Sequence, residues 1–256
     1  MLCSAVAANA AEPIHGTDEQ EATKAASPQG EKLVDTSEMR VFEGFFDFYW
    51  DDTQGKIWLK LAGLEEEVRR DSFLYTSSLA TGLGSNPVGL DRGQLGDDRV
   101  VHFRRVGQKV FLIQENWKFL ASNSGNPREQ AAVRESFANG VLWSGKVELA
   151  DVGTLVDISD FLLRDAHDCI GTLASSGQGT YSLDSSRSFL HLPRTKAFQK
   201  NVEFEAALTF SSKKPGRLAS RTAADGKSVT LHQHHSFVQL PDDGYQPRKW
   251  DPRVGC

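Results

Sequence analysis

The sequence has 256 residues, of which 39% are hydrophobic and 25% are charged, as in a globular chain with one large domain or two small ones. Lysine and arginine number 29 against 34 acidic residues, and the net charge of −5 is spread without long blocks of one sign. No apolar run reaches the roughly 18 residues that a membrane span needs. We therefore expect no nucleic-acid partner and no membrane span.

The first ten residues end in Ala8-Asn9-Ala10, the A-x-A pattern that a signal peptidase cleaves. The basic start of a signal peptide is missing, so residues 1–10 are a partial signal peptide or a flexible alanine-rich terminus. The pattern favours an exported protein, periplasmic or extracellular. Residues 11–36 are polar and alanine-rich, which predicts a disordered leader ahead of a domain over residues 37–256. The three cysteines lie too far apart to predict a disulfide framework or a zinc site.

Alternating and aromatic segments predict a succession of strands. Residues 41–50 and 56–61 flank a polar turn and form one hairpin, and residues 99–106 and 109–114 form a second. In the arm over residues 56–61 the period of two predicts one buried face. Further strands are predicted at residues 71–79, 141–149, 154–158, 186–192, 202–210 and 227–240. Between the hairpins, residues 81–96 are rich in glycine and predict a long shaped loop.

Two segments carry helix signals. Asn126, Pro127 and Glu129 supply an N-cap, a first-turn proline and a first-turn acid for a helix over residues 127–139. Residues 159–170 place apolar side chains on one face at helical spacing. Many strands and two short helices predict a mainly β or α+β fold, with antiparallel sheets built from hairpins.

The segment from His232 to His235 is the strongest candidate for metal chemistry. On a strand His232 and His234 project to the same face, whereas His235 points away. Two imidazoles are fewer than the three protein ligands of a usual catalytic zinc site. His232 and His234 are thus weak metal candidates, and no metal or cofactor is predicted for this chain.

Asp165, His167 and Asp168 resemble an acid–base group, but on one helix the neighbouring His167 and Asp168 face different directions. The simpler interpretation is the polar end of a helix. No GxSxG motif supports a serine nucleophile, and no cysteine has an activating context. No catalytic residue is therefore predicted.

Binding candidates come from polar residues on shaped loops. The glycine-rich loop contributes Asn86, Asp91 and Arg92, and the segment over residues 192–198 contributes Arg194 and Lys196. The alternative is that the glycines only permit tight turns and that Asp91 holds its own loop together.

Several sequence blocks occur in the order found in one protein family. The blocks are GFFDFYW at residues 44–50, TGLGSN at 81–86, VGLDRGQL at 88–95, DFLLRDAH at 160–167, LPRTKAF at 192–198 and HHSFVQLPDDGY at 234–245. Together they resemble the N-terminal DUF5117 region of large bacterial exported zinc-dependent metalloproteases. The resemblance extends over about residues 39–255.

In that family the resemblance implies a downstream metzincin-type domain with a zinc motif HExxHxxGxxH. The present sequence contains no HExxH, so no zinc ligand or catalytic base carries over, and the implied zinc belongs to the downstream domain. The expectation is a truncated protein, an isolated domain or a gene product cut short by a frameshift. Its role would be to support the peptidase domain, its partner, and to shape the cleft for a peptide substrate. The alternatives are a free-standing envelope protein that binds peptide or glycan, and a metal-dependent enzyme acting through His232 and His234.

Overall fold

Antiparallel strands dominate the computed structural model, which describes residues 34–61, 72–119, 121, 125–242 and 244. Among the described residues strand accounts for 41% and helix for 17%, so the predicted mainly β class is confirmed. The strands are β1 (Arg40–Phe42), β2 (Phe48–Asp51), β3 (Lys56–Lys60), β4 (Phe73–Leu79), β5 (Arg99–Val106), β6 (Lys109–Gln114), β7 (Gly140–Ala150), β8 (Gly153–Asp157), β9 (Ser182–Leu183), β10 (Phe189–Leu190), β11 (Lys196–Ala197), β12 (Asn201–Ser211) and β13 (Ser228–Gln239).

The strands hydrogen-bond in the order β1-β2-β3-β8-β7-β6-β5-β4-β13-β12-β10, and the short β9 and β11 also pair with β12. Both predicted hairpins are present, as β2–β3 and β5–β6, but the first arm predicted over residues 41–50 is divided into β1 and β2. The last strand, β13, lies between β4 and β12. Histidines near the C-terminal end of the described chain are therefore flanked by strands from both halves of the sequence.

Phenylalanine rings fill the centre of the core. Phe46, Phe73, Phe103 and Phe237 are at most 2% exposed. Their ring centroids lie between 5.1 and 6.3 Å apart, mostly in tilted or edge-on arrangements. Burying one such side chain stabilises the fold by about 1.5–3 kcal/mol.

Strand β3 is covered on both faces, so the prediction of a single buried face is wrong for this strand. Trp58 is 8% exposed and packs with Tyr49 and Leu155 in a second, smaller cluster. Val34 lies over this cluster, where its amide donates to the carbonyl of Leu149 at 2.8 Å. The last residues of the predicted leader therefore pack against the domain, and residues 11–33 lie outside the described residues.

The segment between β1 and β2 contacts the far end of the strand order. The amide of Phe45 donates to the carbonyl of Phe198 at 2.7 Å. A Cβ atom at Gly44 would lie 2.6 Å from that carbonyl oxygen and 2.8 Å from Cβ of Ala197. The approach of these two backbones thus requires glycine at position 44.

Four α-helices occur in the described chain: α1 (Pro127–Ser136), α2 (Ser159–Leu162), α3 (Cys169–Ser175) and α4 (Arg217–Thr222). The predicted start of α1 is confirmed, since the Asn126 side chain accepts from the amide of Arg128 at 3.0 Å, but the helix ends at Ser136 and not at residue 139. The single helix predicted over residues 159–170 is wrong, because the chain breaks into α2 and α3. Among the described residues, no helix has the length and apolar character of a membrane span.

Candidate functional site

Histidines and glutamates face one another across the long β12–β13 pair. Nδ1 of His232 lies 2.7 Å from Oε1 of Glu205, and Nε2 of His234 lies 2.7 Å from Oε2 of Glu203. The sequence prediction that His232 and His234 share a face is met by the register, which sets His234 opposite Glu205. Each imidazole nevertheless makes its short contact with a different carboxylate.

A third imidazole comes from the segment before a 3-10 turn at Leu192–Arg194. Nε2 of His191 lies 3.8 Å from Oε1 of Glu205, and its ring is nearly perpendicular to that of His232, with centroids 4.8 Å apart. On the other carboxylate oxygen, Nη1 of Arg194 lies at 3.5 Å. Glu205 is itself only 1% exposed. We call His191, Glu205 and His232 the histidine–glutamate triad.

Backbone hydrogen bonds hold the segment from His191 to Thr195 against Glu205. The amide of His191 donates to the carbonyl of Glu205 at 2.7 Å. The Thr195 hydroxyl accepts from the amide of Glu205 and donates to the carbonyl of His191, both at 3.2 Å. The position of the third imidazole is therefore fixed by the main chain of the residue whose carboxylate it faces.

The backbone of His232 is held by residues at the start of the glycine-rich loop. Its amide donates to the hydroxyl of Thr81 at 2.7 Å, and its carbonyl accepts from the amide of Ala80 at 2.8 Å. The triad is thus anchored by three separate parts of the chain.

Glu203 stands next to the triad with both carboxylate oxygens engaged. One accepts from the side-chain amide of Asn201 at 2.5 Å, and the other contacts His234 and the hydroxyl of Ser236. Burial acts to raise the pKa of Glu203, but these hydrogen bonds outweigh it and hold the pKa below its usual value.

His235 points to the opposite, apolar face, as the strand alternation predicted. It is 0% exposed, and its Nδ1 lies 3.0 Å from the hydroxyl of Tyr75. Its Nε2 lies 3.0 Å from the carbonyl of Leu162. Burial, with the nearby Arg164 cation, lowers the pKa of His235 to about 3. This imidazole is a neutral core group.

Asp165 and Asp168 begin a helix rather than end one. The carboxylate of Asp165 accepts from the amides of Cys169 and Ile170, each at 2.9 Å, and that of Asp168 accepts from Gly171 at 3.2 Å. The predicted polar end of a helix is therefore wrong, because Asp168 adopts a left-handed conformation with φ 54° and caps α3. Burial and the Asp165 carboxylate raise the pKa of the Cys169 thiol.

Of the five loop residues proposed for binding, Arg194 contacts the triad. Asn86 uses its side chain inside its own loop, donating to the carbonyl of Leu83 at 2.8 Å and accepting from the amide of Val88 at 2.9 Å. Asp91 is half-buried and Arg92 is exposed, in the same loop. Lys196 is exposed on β11, opposite Glu203 in the strand register.

An apolar groove lies between the segment after β6 and helix α1. Its aromatic walls are Trp117 and Phe119, which are 50% and 49% exposed. Phe119 stacks on Phe137 with ring centroids 3.9 Å apart, and Val133 of α1 lines the same space. We call these four residues the aromatic groove.

The sequence analysis missed His191 and Glu205. His191 precedes a proline-containing turn and stands 41 positions from His232, so nothing in the local pattern joins them. A usable signal did exist in β12, where Glu203 and Glu205 interrupt an apolar strand at the same period of two as His232 and His234. Two long strands with matching polar positions favour pairing of those positions across an antiparallel sheet.

The fold and its polar cluster define an antiparallel β domain with a buried carboxylate surrounded by imidazoles. A family model described as a domain of unknown function, DUF5117, matches residues 93–256, more than half of the chain. The chain belongs to the DUF5117 family. The match begins at Gly93, later than the expected start near residue 39. The blocks at residues 44–50 and 81–86 therefore lie outside it, and the block at 88–95 lies only partly within it. No curated protein and no solved structure matches the chain.

Proposed function

We propose that this chain is a non-catalytic N-terminal accessory domain of an exported zinc-dependent metalloprotease. In this proposal it docks on the peptidase domain and shapes the cleft that receives peptide substrate. The resemblance of the six sequence blocks supports the metalloprotease assignment, and membership of the DUF5117 family is consistent with it.

The docking proposal rests mainly on the exposure of helix α1. None of its ten residues is buried. A helix shorter than about 12–15 residues is marginal in water unless an apolar face packs on something. Here Val133 of the helix lines the groove, and half of Trp117 and Phe119 stays in contact with solvent. Exposed aromatic groups gathered in this way mark surfaces that a partner covers.

The triad supports a binding role more than a hydrolytic one. A zinc peptidase needs a general base within hydrogen-bond reach of the metal-bound water. Glu203 is the carboxylate that adjoins the triad, and its oxygens are already bonded to Asn201, His234 and Ser236. The sequence also lacks the HExxH motif that supplies this base in zincins.

The test measures binding of the full chain to a separately produced metallopeptidase domain with an HExxHxxGxxH motif, encoded beyond the codon for Cys256. We expect Trp117→Ser and Phe119→Ser to weaken binding at least about tenfold, as for central aromatic contacts in interfaces. Phe189→Ser is the matched control, because Phe189 is a 54% exposed aromatic outside the groove. Absence of any such coding sequence, or equal affinity for all variants, would contradict the proposal.

The aromatic walls also favour the alternative of a free-standing envelope protein that binds peptide or glycan. Tryptophan and phenylalanine rings offer flat apolar faces on which either ligand packs. Saturable binding of a soluble peptide or oligosaccharide library, lost in Trp117→Ser, together with no binding of the peptidase domain, would favour this alternative.

A further inference from the structure

We propose that His191, Glu205 and His232 bind one divalent transition-metal ion of the zinc class. This inference is independent of the aromatic groove and of the docking partner. It assigns a metal ion to the triad, and the accessory-domain proposal does not depend on that ion.

The donor atoms are already grouped at the scale of a metal site. One ring nitrogen of His191, one ring nitrogen of His232 and a carboxylate oxygen of Glu205 all lie within 4.8 Å of one another. Zinc–ligand bonds of about 2.0–2.1 Å in a tetrahedral site place ligand atoms ~3.4 Å apart. The distances from Oε1 of Glu205, 2.7 Å to His232 and 3.8 Å to His191, lie on either side of that value. Lengthening the first distance and shortening the second, each by less than about 1 Å, would bring both to that value.

The chemistry of the donors selects the class of ion. Two imidazoles with one carboxylate suit zinc, copper, nickel and iron, whereas calcium and magnesium prefer oxygen ligands. A site with two histidines and one glutamate is a known zinc set in which the fourth position stays open. The His191 and His232 side chains are 27% and 25% exposed, so an ion can reach the buried carboxylate from this side.

The surroundings of Glu205 orient it for such a role. Its Oε1 faces both imidazoles of the triad, while Oε2 faces Arg194 at 3.5 Å and Nδ1 of His234 at 3.9 Å. One oxygen is thus directed toward the ion and the other toward groups that fix the carboxylate. Outer partners of this kind hold a ligating side chain in place. The Arg194 side chain is 60% exposed, so solvent screens its charge.

His234 provides the matched control, because it lies on the same face of the same strand, two residues from His232. Its Nε2 is bonded to Glu203, which leaves it outside the triad. A site formed by His232 and His234, the pair that the sequence suggested, would depend on His234 and not on His191. Metal binding at the triad instead depends on His191 more strongly than on His234.

The experiment titrates the metal-free full chain with Zn²⁺ against a chromophoric chelator and measures bound metal after dialysis. We expect one ion per chain. His191→Gln, Glu205→Gln and His232→Gln should each weaken affinity by more than about 100-fold, since even partners that only orient a ligand contribute 10–100-fold. His234→Gln removes only an outer partner that lies 3.9 Å from Glu205, so it should weaken affinity by no more than about 100-fold, less than any triad variant. Titration with Co²⁺ should give the visible absorption of a low-coordinate site in the wild type and in His234→Gln.

Thermal unfolding of each metal-free variant verifies that its fold is retained. No zinc bound at micromolar concentrations by the folded wild type would overturn the proposal. So would an affinity that falls in His234→Gln as far as in His232→Gln while His191→Gln binds like the wild type.

Discussion

The amide of His191 donates a 2.7 Å hydrogen bond to the carbonyl of Glu205, the residue whose carboxylate its imidazole faces. Glu205 of β12 thereby holds the segment from His191 to Thr195 through its main chain, and its carboxylate faces the His191 imidazole. The arrangement depends on Thr195, which is 1% exposed and joins the two backbones through its hydroxyl.

Replacement of Thr195 should therefore distinguish how much its volume and how much its hydrogen bonds contribute to the free energy of unfolding. Thr195→Val keeps the volume but leaves the amide of Glu205 without its acceptor, and we expect a loss of about 1–3 kcal/mol in the free energy of unfolding. Thr195→Ser keeps the hydroxyl and should lose less. Urea denaturation measures both variants, and equal stability of Thr195→Val and wild type would show that the bridge contributes nothing.

The neutral imidazole of His235 should make the fold sensitive to acid. Its pKa is about 3 in the folded protein against an ordinary 6.5, so the unfolded chain binds the extra proton between these values. The stability that the neutral imidazole of His235 contributes is complete above pH 6.5 and is lost as the pH falls below that value. Relative to His235→Gln, the wild type should lose about 1.4 kcal/mol per pH unit between about pH 6 and 4.

Urea denaturation at several pH values measures this difference. The variant has its own lower baseline, because it loses the contacts of the imidazole with Tyr75 and Leu162. The test is therefore how the stability difference between the wild type and His235→Gln changes with pH. Parallel stability curves for the two proteins would contradict a neutral, buried His235.

Gly44 should tolerate no side chain. Gly44→Ala places a methyl group 2.6 Å from the carbonyl oxygen of Phe198, and overpacking of this kind costs about 1–3 kcal/mol. Gly140→Ala is the control, since the nearest atom to its added Cβ lies 3.9 Å away. Thermal unfolding should separate the two variants, and equal melting temperatures would mean that the two backbones do not approach in solution.

The aromatic groove should bind a hydrophobic dye in the isolated chain. Half-exposed Trp117 and Phe119 form a contiguous apolar surface, whereas Phe189 stands elsewhere. We expect the double variant Trp117→Ser, Phe119→Ser to lose most of the dye fluorescence and Phe189→Ser to keep it. A wild-type chain that binds no dye would remove the physical basis for docking at this groove.

Local patterns predicted the parts of this molecule that depend on neighbours in sequence. The hairpins around residues 51–55 and 107–108 and the start of α1 at Pro127 follow from turn and capping chemistry. The break between α2 and α3 was missed because Asp168 adopts positive φ, which no periodicity reveals. His191 and Glu205 were missed because a long-range backbone contact, not a motif, brings them together.

Hydrolysis of an unstructured protein tests most directly the central claim that this chain acts by binding. The zinc-supplemented full chain is incubated with casein beside His232→Gln, which removes a triad ligand. We predict no cleavage above the buffer control by either protein, because the carboxylate that adjoins the triad is engaged by Asn201, His234 and Ser236. Cleavage by the wild type that disappears in His232→Gln would contradict the account and make the triad a catalytic centre.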